Sequence, residues 1–133
     1  MTRIVIAGHP GGGKTYMSRL LGLPLRHTDD LMDEFDFEDA KQEIAKWMDL
    51  DGPWCIEGVQ AGRGLRQWMR DNPTGKPCDK VIYLQARTPL SGGRLRMAKG
   101  CDTVFNGIRH ALADRGVVIE RPNGHMQAAR WRE

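Results

Sequence analysis

Residues 8–15, GHPGGGKT, set four glycines, a lysine and a threonine in an order that suits one class of ligand. Gly8, Gly13, Lys14 and Thr15 match the pattern GxxxxGK[ST]. Glycine has no Cβ, so the backbone can turn its N–H groups inward around a polyphosphate. Lys14 supplies a point charge for the β- and γ-phosphates, and the Thr15 hydroxyl is a ligand for Mg²⁺. A helix starting near Lys14 adds unpaired N–H groups and the positive end of its dipole. The expected contacts to the nucleotide are therefore Gly8, Gly11, Gly12, Gly13, Lys14, Thr15 and Tyr16. His9 and Pro10 fill variable positions, and His9 reads as a loop spacer rather than a catalytic group. The competing reading, a glycine-rich turn that binds nothing, needs strand, loop, lysine, threonine and helix to coincide by chance.

The cradle works only between a strand and a helix, and the flanking sequence provides both. The run RIVIA at residues 3–7 is β-branched, and residues 14–21 carry Met17, Leu20 and Leu21 at helical spacing. Residues 23–27 read as a second strand. Acidic residues then crowd from Asp29 to Asp39, and residues 38–50 repeat Ile44, Ala45, Trp47 and Met48 as a helix would. Residues 54–56 give a third strand running into Glu57 and Gly58, and residues 64–71 a helix with Leu65, Trp68 and Met69 on one side. KVIYL at residues 80–84 is the fourth strand. Residues 85–99 read as basic and loop-like at first, before a helix over residues 103–115 and a fifth strand over residues 117–120. The polar tail, residues 121–133, reads either as a short helix around residues 125–131 or as partly ordered. Strands alternating with helices imply βαβ units and a parallel sheet, hence an α/β fold in one domain spanning residues 1–133. Trp47 and Trp68 fall on apolar helix faces and read as core, while Trp131, in ARWRE, offers a base-stacking surface.

The GHPGGGKT loop, the following RHTDDL and the WCIEG that closes the third strand resemble small P-loop kinases of the adenylate-kinase and shikimate-kinase type. Small predicted ATPases of bacteria and phages share the HTDD and IEG pattern. The resemblance implies a five-stranded parallel sheet of order 2-3-1-4-5 with helices on both faces and ligands at the carboxyl ends of the strands. It also implies an acidic group near the metal or acceptor after the second strand, which Asp29 matches, with Asp30 beside it reading as a helix cap. Many relatives place a carboxylate where this chain has His27. A carboxylate within reach of the γ-phosphate, the place expected of Asp29, can hold Mg²⁺ through water or accept the acceptor's proton. Glu57 ends an apolar strand as the acidic residue of a Walker B segment does, so Thr15, Asp29 and Glu57 are the candidate metal ligands. Arg87, Arg94 and Arg96 follow the fourth strand, where related kinases carry a lid, and Arg94 and Arg96 lead as arginines that neutralise the transferring phosphoryl group. Lys14, Asp29, Glu57, Arg94 and Arg96 thus form the candidate catalytic set. Residues 60–63 are expected beside the acceptor, with Arg63 as an anion contact.

Bulk properties restrict the field further. The chain has 133 residues, 40% hydrophobic and 28% charged, close to globular averages. A net charge of +3 is too mild to make nucleic acid the favoured partner. Cys55, Cys78 and Cys101 form no CxxC pair and lie at no zinc-ligand spacing from a histidine, which points to a reduced, cytoplasmic setting. No signal peptide is read at the N-terminus, and no apolar run approaches the ~20 residues of a membrane span. ATP with Mg²⁺ is the expected nucleotide, because no guanine-selecting NKxD element is present. The leading reading is a kinase acting on a nucleotide, nucleoside or other small hydroxylated acceptor. A polynucleotide 5′-hydroxyl kinase and a non-catalytic ATP-binding accessory or switch protein are the alternatives.

Overall fold

The computed structural model describes residues 2–122, so the tail helix and the Trp131 stacking surface lie outside the described residues. Five short runs become strands: β1 (Arg3–Gly8), β2 (Leu25–His27), β3 (Trp54–Glu57), β4 (Lys80–Leu84) and β5 (Val118–Glu120). They form one sheet of order β2-β3-β1-β4-β5 in which every pairing is parallel. This is the sheet that the resemblance to small P-loop kinases implied. Parallel neighbours require crossovers. Those crossovers carry α1 (Lys14–Leu20), a 3₁₀ turn (Thr28–Leu31) with α2 (Phe37–Trp47), α3 (Ala61–Asp71) and α4 (Gly92–Asp114).

Side chains alternate across the strands, and the two faces collect different partners. Val5, Ala7, Trp54, Ile56, Val81 and Tyr83 join one core with Ile44 of α2, Leu65 of α3 and Phe105 of α4. Ile4, Ile6, Cys55, Ile82 and Leu84 face the other way, where Met17 and Leu21 pack from α1 and its C-terminal end. Central β1 is apolar on both sides because both sides are covered. Tyr83 and Phe105 stack in parallel at 4.1 Å, joining β4 to α4. Trp68 is buried in the first core and Trp47 packs against it, as their helical spacing implied.

Two helices begin earlier than their sequence suggests. α3 starts at Ala61 rather than residue 64, and α4 starts at Gly92 rather than residue 103. Gly62, Gly64, Gly92, Gly93 and Gly100 lower helix propensity in both stretches. Packing overrides it: Ala98 and Cys101 continue the buried stripe of Val104, Phe105, Ile108 and Leu112, so the helix is paid for by its apolar face. Arg94 and Arg96 therefore stand on the first turns of a long helix and not on a loop. Asp30 lies inside the 3₁₀ turn, and the cap of α2 is Asp36, whose carboxylate accepts from the Asp39 N–H at 2.8 Å.

Candidate functional site

In a parallel sheet all strands finish at one edge, and here that edge gathers the candidate residues. β1 ends at Gly8 and turns into the glycine loop, β3 ends at Glu57, and β2 ends at His27. A cleft of about 590 Å³ opens above them. Gly11, Gly13, Lys14, Thr15 and Tyr16 line it, with Asp29, Glu57, Gln60 and Arg94. The apolar Met32, Phe37, Val59 and Met97 complete its wall. Of the candidate catalytic set, Lys14, Asp29, Glu57 and Arg94 come together, whereas Arg96 stays outside the lining, exposed on α4.

Backbone geometry explains the loop's glycines. Gly13 precedes α1 with φ 85°, a left-handed conformation costly for residues bearing a Cβ. A Cβ on Gly13 would lie 2.6 Å from Nη2 of Arg87, so the Arg87 guanidinium covers this turn of the loop. At Gly8 a Cβ would meet the Leu84 carbonyl oxygen at 1.9 Å, which is how closely β1 approaches β4 as it enters the loop.

Lys14 is buried, and its ammonium donates to the carbonyl of His9 inside the same loop. Burial pushes its pKa down, against the opposing pull of Glu57, Cys101 and Asp29. Glu57 is itself buried, and one carboxylate oxygen is bonded to Nδ1 of His27. His27, which replaces the carboxylate of many look-alike sequences, thus holds the Walker B-like acid from the neighbouring strand. Gln60 faces the cleft and its Oε1 accepts from Arg63 Nη1 at 3.3 Å. Arg63 lines a separate small crevice with Cys101 and Val104, and a Cβ on Gly100 would lie 3.1 Å from its guanidinium.

His9 does more than space the loop. Its Nδ1 accepts from the Ala86 N–H at 2.9 Å, so the proton sits on Nε2 and is donated to Asp102 Oδ1 at 2.7 Å. The Tyr83 hydroxyl donates to the same oxygen at 2.5 Å, and burial followed by this bond pushes the Tyr83 pKa up. The ring of His9 therefore pins the loop to the end of β4 and to α4, while its carbonyl receives Lys14. Nothing local announces this, because Asp102 lies 93 positions away. The apolar wall was also missed, since Met32, Phe37 and Met97 carry no motif. Arg87 sits nearer the loop than its rank behind Arg94 and Arg96 implied.

No protein-family model matches the chain, and no curated protein matches it. Solved structures do. Shikimate kinase from Acinetobacter baumannii, in complex with shikimate, is similar over 98% of this chain and 87% of its own, at 16% identity and a TM-score of 0.51. Shikimate kinase from Bacteroides thetaiotaomicron is similar over 90% of this chain and 85% of its own, at 12% identity and a TM-score of 0.45. The parallel order and the first of these likenesses establish a small P-loop kinase-like fold. Among the described residues no helix is long and apolar enough to cross a membrane.

Proposed function

We propose that this chain is a small kinase that transfers the γ-phosphoryl group of ATP to a nucleotide, nucleoside or other small hydroxylated acceptor. The observation that carries the reading is one cleft lined jointly by the glycine loop, Lys14, Thr15, Asp29, Glu57 and Arg94. Transfer of this kind asks a protein for positioning and charge neutralisation, which this set of groups provides. Lys14 leaves the His9 carbonyl to meet the β- and γ-phosphates, whose charge offsets the burial that Glu57 and Asp29 alone do not. The loop N–H groups hold the same oxygens. Asp29 takes the proton of the acceptor hydroxyl as its oxygen bonds to the γ-phosphorus and the bond to the ADP oxygen breaks. Arg94, entering from α4, meets the charge on the transferring group, with Arg87 beside Gly13 as a second guanidinium.

Among the described residues no three His, Cys, Asp or Glu side chains form a metal cage. That suits Mg²⁺, which keeps its waters and takes one or two carboxylates together with substrate phosphates. Thr15, Asp29 and Glu57 all face the cleft and would hold it. When bound, Mg²⁺ neutralises phosphate charge and fixes the donor's orientation. A cytoplasmic setting belongs to the same reading, supported by three cysteines that are all unpaired.

One observation favours a second reading, an ATP-binding switch or accessory protein without turnover. Glu57 already spends one oxygen on His27, so less of it is left for a metal or a water. Label transfer from γ-labelled ATP across nucleosides, nucleotides, sugars and 5′-hydroxyl oligonucleotides separates the two, with Lys14→Ala as control. Label in one acceptor class that vanishes in Lys14→Ala is the kinase outcome. Binding of Mg·ATP without label in any acceptor is the switch outcome.

A further inference from the structure

Among the described residues seven large apolar side chains are left exposed, and three of them, Tyr16, Phe37 and Met97, line the same cleft. Phe37 is 57% exposed at the first turn of α2, although the core begins one turn further on at Ala40. Leaving apolar area in water costs ~25 cal/mol per Å², so its convergence on a polar cleft marks a surface that a ligand covers. The side chains are of one kind: rings at Tyr16 and Phe37, thioethers at Met32 and Met97. Rings and sulfur both favour flat aromatic partners. Gln60 adds a carboxamide, fixed by Arg63, that can donate and accept at once as the edge of a base requires.

Charge narrows the choice. The lining contains two cations, Lys14 and Arg94, and two carboxylates, Asp29 and Glu57. Once both cations face the donor's phosphates, the rest of the lining holds no cation to compensate the charge of an anionic acceptor. We infer that the acceptor is a nucleoside, a hydroxyl carried on a flat uncharged base, rather than a phosphorylated nucleotide or a carboxylated polyol. This rests on the kinase reading, because that reading commits Lys14 and Arg94 to the donor.

The test is equilibrium binding of nucleosides, their 5′-monophosphates and shikimate, each with and without a non-hydrolysable ATP analogue and Mg²⁺. Expected is nucleoside binding about tenfold or more tighter than either anionic class. Phe37→Ala should weaken nucleoside binding about tenfold, the loss of one ring–base stack, while analogue affinity holds within about twofold. Phe37→Trp should restore it. Being exposed, Phe37 can be changed without emptying the core. Preference for a monophosphate or for shikimate overturns the inference, as does no nucleoside binding in either arm. A Phe37→Ala effect on the analogue alone also overturns it, by assigning the wall to the donor's own base. Failure of the analogue to bind the unaltered protein strikes the kinase reading instead, and the arm without analogue keeps the two failures apart.

Discussion

Lys14 sits where a cation lowers the stability of the ligand-free protein. Burial depresses its pKa, and its contact is a carbonyl of its own loop rather than a carboxylate. Lys14→Met should therefore raise Tm of the free protein by about 2–4 °C, the equivalent of about 1 kcal/mol, while abolishing Mg·ATP binding. The His9 carbonyl is not orphaned by the change, because the Gly12 N–H also approaches it at 3.3 Å. The unfolded chain holds the Lys14 proton more tightly than the folded one. Between the depressed folded value and the ordinary lysine value, stability of the unaltered protein rises with pH. The Tm advantage of the methionine variant should accordingly shrink as pH climbs through that window, a trend that thermal melts at several alkaline pH values would check. His9 makes a complementary case. His9→Ala removes the bonds to Asp102 and Ala86 and should raise KM for ATP about tenfold, with a smaller change in KM for the acceptor. Equal changes in both constants would mean general destabilisation rather than loosening of the loop. Lys14, Thr15, Asp29 and Glu57 could be picked out from the sequence because motif and strand end are local signals. The clamp on His9 and the guanidinium over Gly13 could not, since folding alone brings those partners near.

Helix α4 makes the element scale decisive. Its first two turns reach the cleft with Arg94 and Met97, its middle carries Asp102 to His9, and its buried stripe fastens it to the sheet. Arg94 thus stands on a helix that is tied to the glycine loop through Asp102 and His9. Arg94→Ala should lower kcat about 10²-fold while Arg96→Ala, outside the lining, changes it less than about threefold. Steady-state rates for the two variants decide it, and equal losses would place both on the phosphates. Helices α2 and α3 are set by a close approach: a Cβ on Gly64 would lie 2.3 Å from Ile44 Cγ2. Gly64→Ala gains helix propensity yet should destabilise by about 1–3 kcal/mol through overpacking, and Gly64→Ala with Ile44→Ala, which removes the clashing Cγ2, should cost less than the two single changes added together in denaturant melts. Gly62, two residues earlier, hid the start of α3 from a propensity reading. All five strands were legible: β-branched residues mark β1, β4 and β5, while the short β2 and β3 stand out just after Pro24 and Pro53. The starts of α3 and α4 were not, because Gly62, Gly92, Gly93 and Gly100 look in sequence like loop.

For the whole molecule, the order β2-β3-β1-β4-β5 places the glycine loop where the chain leaves the central strand, so both halves of the sheet contribute walls to one cleft. The three cysteines report on how tightly these parts hold together. Cys55 lies on β3, Cys78 just before β4, and Cys101 on α4 beneath the loop. Burial is the first cause raising each thiol, with Cys55 and Cys78 pushed up to about 12, so the folded state offers little thiolate to an alkylating reagent. Labelling must then pass through opened states, and its rate measures their population. If only global opening exposes them, all three should react at one common rate. Mg·ATP at about 100 times its Kd should slow that rate about 100-fold, because a ligand bound only to the folded state adds ~2.7 kcal/mol of stability. If Cys101 reacts well before Cys55 and Cys78, α4 opens as a separate unit, and the tether through Asp102 is weaker than its geometry implies. Mass spectrometry resolves the three sites in one time course. A rate indifferent to Mg·ATP would count against nucleotide binding without depending on any choice of acceptor.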